Sequence, residues 1–134
     1  MKLSTVVCTR NRPEHIGECL QALSQSRDAD TEILVVDQST DDASERIVSE
    51  YSGTRHIPTA GVGLSRARNL GIAESTGEIV AFTDDDCIPA LDWAESVVRE
   101  FDRSPEISAV YGRSLPWTEP APGERPVAVK TSME

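Results

Sequence analysis

Aromatic residues, cysteines, histidines and long apolar runs are all scarce in this sequence of 134 residues. Lys and Arg number 13 against 23 Asp and Glu, so the net charge is −10, and a nucleic-acid partner, which needs a basic surface, is not expected. No run approaches the roughly 20 apolar residues of a membrane helix, and the N-terminus lacks the apolar stretch of a secretory signal. The three cysteines include no C-x-x-C pair, and with only two histidines beside them a zinc site is not expected.

The few cysteines and the negative net charge also predict the cellular location and the kind of ligand. The cysteines are predicted to be free thiols in a reducing cytoplasm, with the protein either dissolved there or held at the cytoplasmic face of the membrane. An acidic protein can still bind a phosphorylated small molecule, but a divalent cation is then needed to offset the charge repulsion.

Short apolar runs alternate with helical periods along the chain. Predicted strands cover residues 3–8, 32–37, 55–57, 78–83 and 107–111. Predicted helices start at Pro13, Ala43 and Leu64 and after Asp92, and the third is expected to cover residues 64–75, with Gly77 as its C′ residue. Strands that alternate with helices predict an α/β fold with a mostly parallel sheet and flanking helices.

The predicted domain comprises residues 1–115. Residues 116–134 hold four of the eight prolines and no apolar period, so we expect an extended or disordered tail there.

Three polar clusters follow predicted strands at the point where each strand ends. They are Thr9–Arg12 after the first strand, Asp37–Thr40 at the end of the second, and Asp84–Asp86 after the fourth. Because ligands of parallel sheets bind beyond the carboxyl ends of the strands, we expect all three clusters to lie along one rim.

The aspartate triplet is the sharpest of these signals. Three adjacent carboxylates repel one another, and Mg²⁺ or Mn²⁺, which prefer carboxylate oxygens and phosphates, relieve that repulsion. Near a strand end, Asp84 and Asp86 point to one side and Asp85 to the other. The alternative is an acidic loop that caps the following segment.

Two further features have both a binding and a structural interpretation. Asp37 either accepts hydrogen bonds from a base or ribose, or caps the next helix. The glycine loop at 61–63 opens a helix that carries Arg66 and Arg68, which either meet an anionic ligand or form an exposed basic face that pairs with the acidic rim. The loop matches neither the dinucleotide-binding pattern nor a P-loop.

Four segments together resemble the nucleotide-binding part of the family 2 glycosyltransferases with the GT-A fold: residues 6–13, 32–41, 63–71 and 77–86. The resemblance implies transfer of a sugar from a UDP-sugar or another NDP-sugar to an acceptor hydroxyl, with Mn²⁺ or Mg²⁺ as cofactor and inversion as the expected outcome. Receiver domains and haloacid-type phosphatases fit less well, because they place an aspartate where this chain has Thr9.

The resemblance also implies roles for individual residues. Those that would bind the donor are Thr9, Arg10, Arg12, Asp37, Arg66, Arg68, Asn69, Asp84 and Asp85. The implied metal ligands are Asp86 and Asp84. Gln38 departs from the residue usual in the family after the second strand, which leaves the identity of the base open between uracil and others.

In the family, the catalytic base and the acceptor pocket follow the metal motif. The carboxylates that follow it here, Asp92, Glu95 and Glu119, stand in no recognisable context, so no catalytic base is assigned. We therefore expect the donor-binding portion of a transferase, completed by further chain or by another subunit. The alternative is a non-catalytic nucleotide-binding or regulatory module. An open sheet edge also predicts self-association or a partner there.

Overall fold

A computed structural model describes residues 1–26, 30–116 and 122 of the chain. Strands and helices alternate along it in the following order: β1 (Leu3–Thr9), α1 (Pro13–Ser26), β2 (Thr31–Asp37), α2 (Ala43–Val48), β3 (Thr54–Pro58), α3 (Leu64–Glu74), β4 (Ile79–Asp84) and α4 (Trp93–Arg103). The predicted α/β alternation is therefore confirmed. The predicted tail at 116–134 lies outside the described residues, apart from positions 116 and 122.

The four strands form one parallel sheet in the order β3-β2-β1-β4. Its register pairs Thr9 at the end of β1 with Asp37 at the end of β2, and pairs Cys8 with Asp84 of β4. The carboxyl ends of the three strands therefore meet at one edge of the sheet. This is the rim that the positions of the polar clusters predict.

The central strands β1 and β2 are buried on both faces, which explains why they read as continuous apolar runs. On one face, α1 covers Val7 and Val35 with Leu20 and its neighbours. On the other face, α3 packs Ala67 against the β1–β2 pair. Helix α4 packs Ala94 against Ile79 at the start of β4. Among the described helices, none is both long and apolar enough to cross a membrane.

Helix α3 approaches β1 closely at Gly71. A Cβ atom added there would lie 2.4 Å from Cγ1 of Val6, a buried β-branched side chain with little freedom to move. The absence of a side chain at Gly71 thus allows α3 to lie close to the sheet, and α3 is the helix that carries Arg68 toward the rim.

We expect Gly71→Ala to lower the free energy of unfolding by about 1 kcal/mol or more, because overpacking outweighs the gain in helix propensity. Urea denaturation measures this change. Gly112→Ala is the matched control, since a Cβ at that position meets nothing within 4 Å and its effect is expected to be near zero. An alanine at position 71 that stabilises the protein would contradict the close approach.

Two predictions about secondary structure are wrong. Residues 107–111 form no strand, and Tyr111 is 87% exposed, because strand-forming side chains do not make a strand without a neighbouring strand to pair with. The third helix ends at Glu74, one residue before the predicted Ser75, but Gly77 is not in the left-handed region that a C′ glycine adopts. Gly77 is needed for space instead, because a Cβ there would lie 2.6–2.8 Å from atoms of Ser4 and Lys2.

Candidate functional site

A buried carboxylate at the rim connects the ends of β1 and β4. Asp85 is only 3% exposed, and both of its oxygens are engaged. The Thr9 hydroxyl donates to Oδ2 at 2.8 Å, and Nη1 of Arg12 lies 3.0 Å from Oδ1. Two of the predicted clusters are therefore in direct contact across the sheet.

Arg12 also contacts the next aspartate along the chain. Its Nη2 donates to Oδ2 of Asp86 at 2.9 Å. The hydrogen bond to Asp86 and the negative charge of Asp85 raise the pKa of Arg12 above its ordinary value, so the guanidinium stays charged. One cation of the protein itself thus neutralises part of the acidic triplet.

The two outer carboxylates of the triplet lie close enough together to share a cation. Asp84 and Asp86 are exposed, and a ligand atom from each, together with the Cys87 thiol, lies within 4.8 Å of the other two. Asp85 is buried while its two neighbours are exposed, in line with the predicted alternation. Hard carboxylate oxygens fit Mg²⁺ or Mn²⁺ and leave further positions for water and phosphate oxygens.

The cysteines near this site are neutral thiols. Partial burial and the charges of Asp84 and Asp86 raise the pKa of Cys87, which makes its sulfur a poor ligand for a hard cation. Burial raises the pKa of Cys19 to about 12, and its thiol contacts the Asp84 carbonyl at 3.5 Å. Within the described residues the cysteines are free, as the sequence predicts.

Helix α3 places one of its arginines beside the triplet. Nη2 of Arg68 lies 3.6 Å from Oδ1 of Asp84, and its guanidinium sits 5.9 Å from the centre of the Phe82 ring. Arg10, Arg66 and Asn69 are exposed, and they are not among the described residues that contact the aspartates. The basic helix face therefore pairs with the acidic rim through Arg68.

Asp37 lines a cleft at the end of the rim formed by β2 and β3. Its Oδ1 accepts from the Ser39 N–H at 2.9 Å, and its Oδ2 lies 2.9 Å from Nε2 of His56. Asp37 does not cap the following helix, because α2 starts after Asp42. The cleft has a volume of about 320 Å³, and its lining residues are Asp37, Ser39, Asp41, Glu45, His56, Pro58, Thr59 and Ala60.

His56 is the functional candidate that the sequence analysis missed. The register pairs Val35 of β2 with His56 of β3, so the imidazole lies on the same face of the sheet as Asp37. An ionised carboxylate can only accept, so Nε2 of His56 is the donor. A lone histidine in a short, weakly patterned strand carries no signal of this contact.

The loops around the cleft are linked by specific hydrogen bonds. Asn11, at φ +52°, accepts from the Thr40 N–H at 2.9 Å, and its own N–H donates to the Ser39 hydroxyl at 2.8 Å. The Gln38 side chain donates to the Gly63 carbonyl at 3.1 Å. The segments that follow β1, β2 and β3 are thus held together at one end of the sheet.

Comparison with known proteins gives consistent matches. The family model described as Glycosyl transferase family 2 matches residues 4–130. The glucosyl-dolichyl phosphate glucuronosyltransferase of Haloferax volcanii is 28% identical over 122 residues, 87% of this chain and 39% of that protein.

Solved structures agree with the sequence match. S. aureus TarS in complex with UDP superposes with a TM-score of 0.72 at 26% identity, covering 87% of this chain and 38% of that one. Glucosyl-3-phosphoglycerate synthase from Mycobacterium tuberculosis, in complex with Mn²⁺, UDP and glucosyl-3-phosphoglycerate, superposes with a TM-score of 0.64 at 25% identity, covering 75% and 39%. The chain thus spans about two fifths of the length of these relatives.

Proposed function

The chain belongs to glycosyl transferase family 2, and from this premise we propose that its described part binds the nucleoside diphosphate of a sugar donor. Family membership and the GT-A fold, both expected from the sequence, are confirmed. The chain spans less than half of the length of its relatives. We therefore also propose, and do not take from them, the donor, the acceptor and the reaction of the whole protein.

One observation carries the proposal: a single residue connects the cleft to the acidic rim. Thr9 lies opposite Asp37 in the sheet and donates to Asp85 in the triplet. Neighbouring strands lie about 4.8 Å apart, so a base in the Asp37 cleft and a diphosphate at Asp84 and Asp86 fit within one nucleotide. The complexes of the relatives with UDP, and in one case with Mn²⁺, support this arrangement.

Asp84 and Asp86 are the residues that would hold Mn²⁺ or Mg²⁺. When bound, the cation stabilises negative charge on the departing diphosphate as a Lewis acid. Asp37 accepts an N–H of the base, and Arg68 supplies positive charge beside the diphosphate. Roles for Thr9, Arg10, Arg12, Arg66, Asn69 and Asp85 in contacting the donor stay predictions.

We expect the donor to carry uracil as its base, and we expect the transfer to invert the configuration of the sugar. An inverting transfer needs a carboxylate that deprotonates the acceptor hydroxyl, and we assign none. Glu119, one of the carboxylates named from the sequence, lies outside the described residues.

A non-catalytic nucleotide-binding module is the second candidate function. The observation that favours it is that the described carboxylates named after the triplet have structural partners: Asp92 stands at the N-terminus of α4, and Glu95 pairs with Arg99. Both candidates bind a nucleoside diphosphate, so binding alone does not separate them. Release of UDP from UDP-sugars by the chain would exclude the second.

We expect calorimetric titration to show UDP binding that Mn²⁺ strengthens by about 10-fold or more, since the cation offsets the repulsion between the diphosphate and the acidic rim. GDP, ADP and CDP titrated in parallel identify the preferred base. The absence of heat with every nucleoside diphosphate, with and without Mn²⁺, would contradict the proposal.

A further inference from the structure

We propose that Arg12 and Asp85 are positioning residues that hold Asp86 in the orientation in which it binds the cation. The inference rests on the proposed function, because it concerns the same rim. It assigns the middle aspartate of the triplet a role that differs from donor contact: Asp85 acts through Arg12 and Asp86.

Asp85 is a buried carboxylate, and its charge is compensated within the protein. An ionised carboxylate that is 3% exposed is stable only when its oxygens are paired, and Thr9 and Arg12 supply one partner for each oxygen. Both partners come from the end of β1 and the loop after it. Asp85 therefore fastens the segment after β4 to the neighbouring strand.

The guanidinium of Arg12 contacts two carboxylates of the triplet at once. A guanidinium is planar and presents its N–H groups in a fixed geometry, so one that contacts two carboxylates sets their relative orientation. Here Nη1 contacts Asp85 and Nη2 contacts Asp86, at 3.0 and 2.9 Å. The contact to Asp86 uses Oδ2, which leaves the other carboxylate oxygen to face a cation.

The backbone of Arg12 is itself held in place. Its carbonyl accepts from the N–H groups of His15 and Ile16, at 3.1 and 3.4 Å, in the first turn of α1. Helix α1 is anchored in the core through Ile16 and Leu20, which are fully buried. The guanidinium thus projects from a rigid helix start toward the triplet.

A purely electrostatic role for Arg12 predicts the opposite outcome from a positioning role. A positive charge beside a cation site weakens cation binding, so its removal alone would strengthen the binding of Mn²⁺. Loss of an orienting partner weakens metal binding, typically by 10- to 100-fold. The sign of the change in Mn²⁺ affinity therefore separates the two roles.

The test titrates Mn²⁺ into the UDP-saturated chain and follows free Mn²⁺ by electron paramagnetic resonance. Arg12→Met is expected to lower the Mn²⁺ affinity by about 10-fold or more, although it removes a positive charge. Arg12→Lys, which keeps the charge but not the fork, is expected to show a similar loss. Arg99→Met is the matched control, because Arg99 pairs with Glu95 on the exposed side of α4, and its Mn²⁺ affinity is expected to equal that of the wild type.

Two results would overturn the positioning role: unchanged or tighter Mn²⁺ binding by Arg12→Met, or wild-type binding by Arg12→Lys. Circular dichroism establishes that each variant is folded, and the lysine variant carries the test if the methionine variant is not. A wild-type chain that binds UDP but shows no Mn²⁺ binding would refute the cation site itself. A wild-type chain that binds neither would refute the proposed function as well.

Discussion

Asp86→Asn is expected to abolish the stabilisation that Mn²⁺ gives to the UDP-bound protein. A ligand that binds only the folded state at about 100 times its Kd adds about 2.7 kcal/mol to the free energy of unfolding. The amide keeps the shape of the side chain and can still accept from Arg12, but it removes the charge that attracts the cation. Thermal unfolding with and without Mn²⁺ measures the effect. Mn²⁺ is expected to raise the Tm of the wild type by several degrees and to leave the Tm of Asp86→Asn unchanged.

The stability of the metal-free protein gives a second readout for the same variant. Removal of one of three adjacent negative charges is expected to leave the metal-free Tm unchanged or higher. Asp102→Asn is the control, since it removes the same charge from an exposed position on α4, away from the rim. A full Mn²⁺ shift in Asp86→Asn would place the metal site elsewhere.

Asp37→Asn is expected to weaken UDP binding by about 10- to 100-fold, the range that corresponds to one hydrogen bond to a charged group. The amide offers one acceptor where the carboxylate offers two, and Ser39 and His56 both donate to that carboxylate. In the variant, the side-chain NH₂ group replaces one carboxylate oxygen. It therefore faces either one of these donors or the N–H of the base, and one hydrogen bond is lost. Calorimetry at saturating Mn²⁺ measures the change in affinity.

Asp41→Asn is the matched control for this second experiment. Asp41 lines the same cleft and carries the same charge, but it is exposed and bonds the Ala43 N–H instead of His56. Equal losses of UDP affinity in the two variants would show that the cleft acts on UDP through its net charge. Unchanged UDP affinity in Asp37→Asn would show that the base does not bind in this cleft.

The core strands and the rim follow from short-range patterns, which is why both were predictable. Residues 3–8 and 32–37 are apolar on both faces, a pattern typical of strands covered on both sides. In a parallel sheet the strands end at the same edge, so polar residues that follow successive strands lie along that edge. The aspartate triplet, Thr9 and Asp37 could be placed on one rim for this reason.

Other features depend on how strands and helices align, and no local pattern encodes that alignment. His56 meets Asp37 because β3 pairs with β2 in one particular register, and a shift of one residue would turn the imidazole to the other face. The 107–111 segment has strand-forming residues, but within the described part of the chain no strand lies beside it to pair with. Gly77 suited a helix end by spacing, whereas close packing against Ser4 explains it.

Residue order along the chain was thus enough to establish the alternation of strands and helices, the shared rim and the identity of its charged groups, since these depend on neighbours a few positions apart. Folding in three dimensions decided which of those groups point at one another. Arg12 and Asp86 are 74 positions apart, and Thr9 and Asp85 are 76 apart. Contacts at such separations arise from the register of β1 with β4 and the angle at which α1 leaves the sheet, and these are properties of the packed core as a whole.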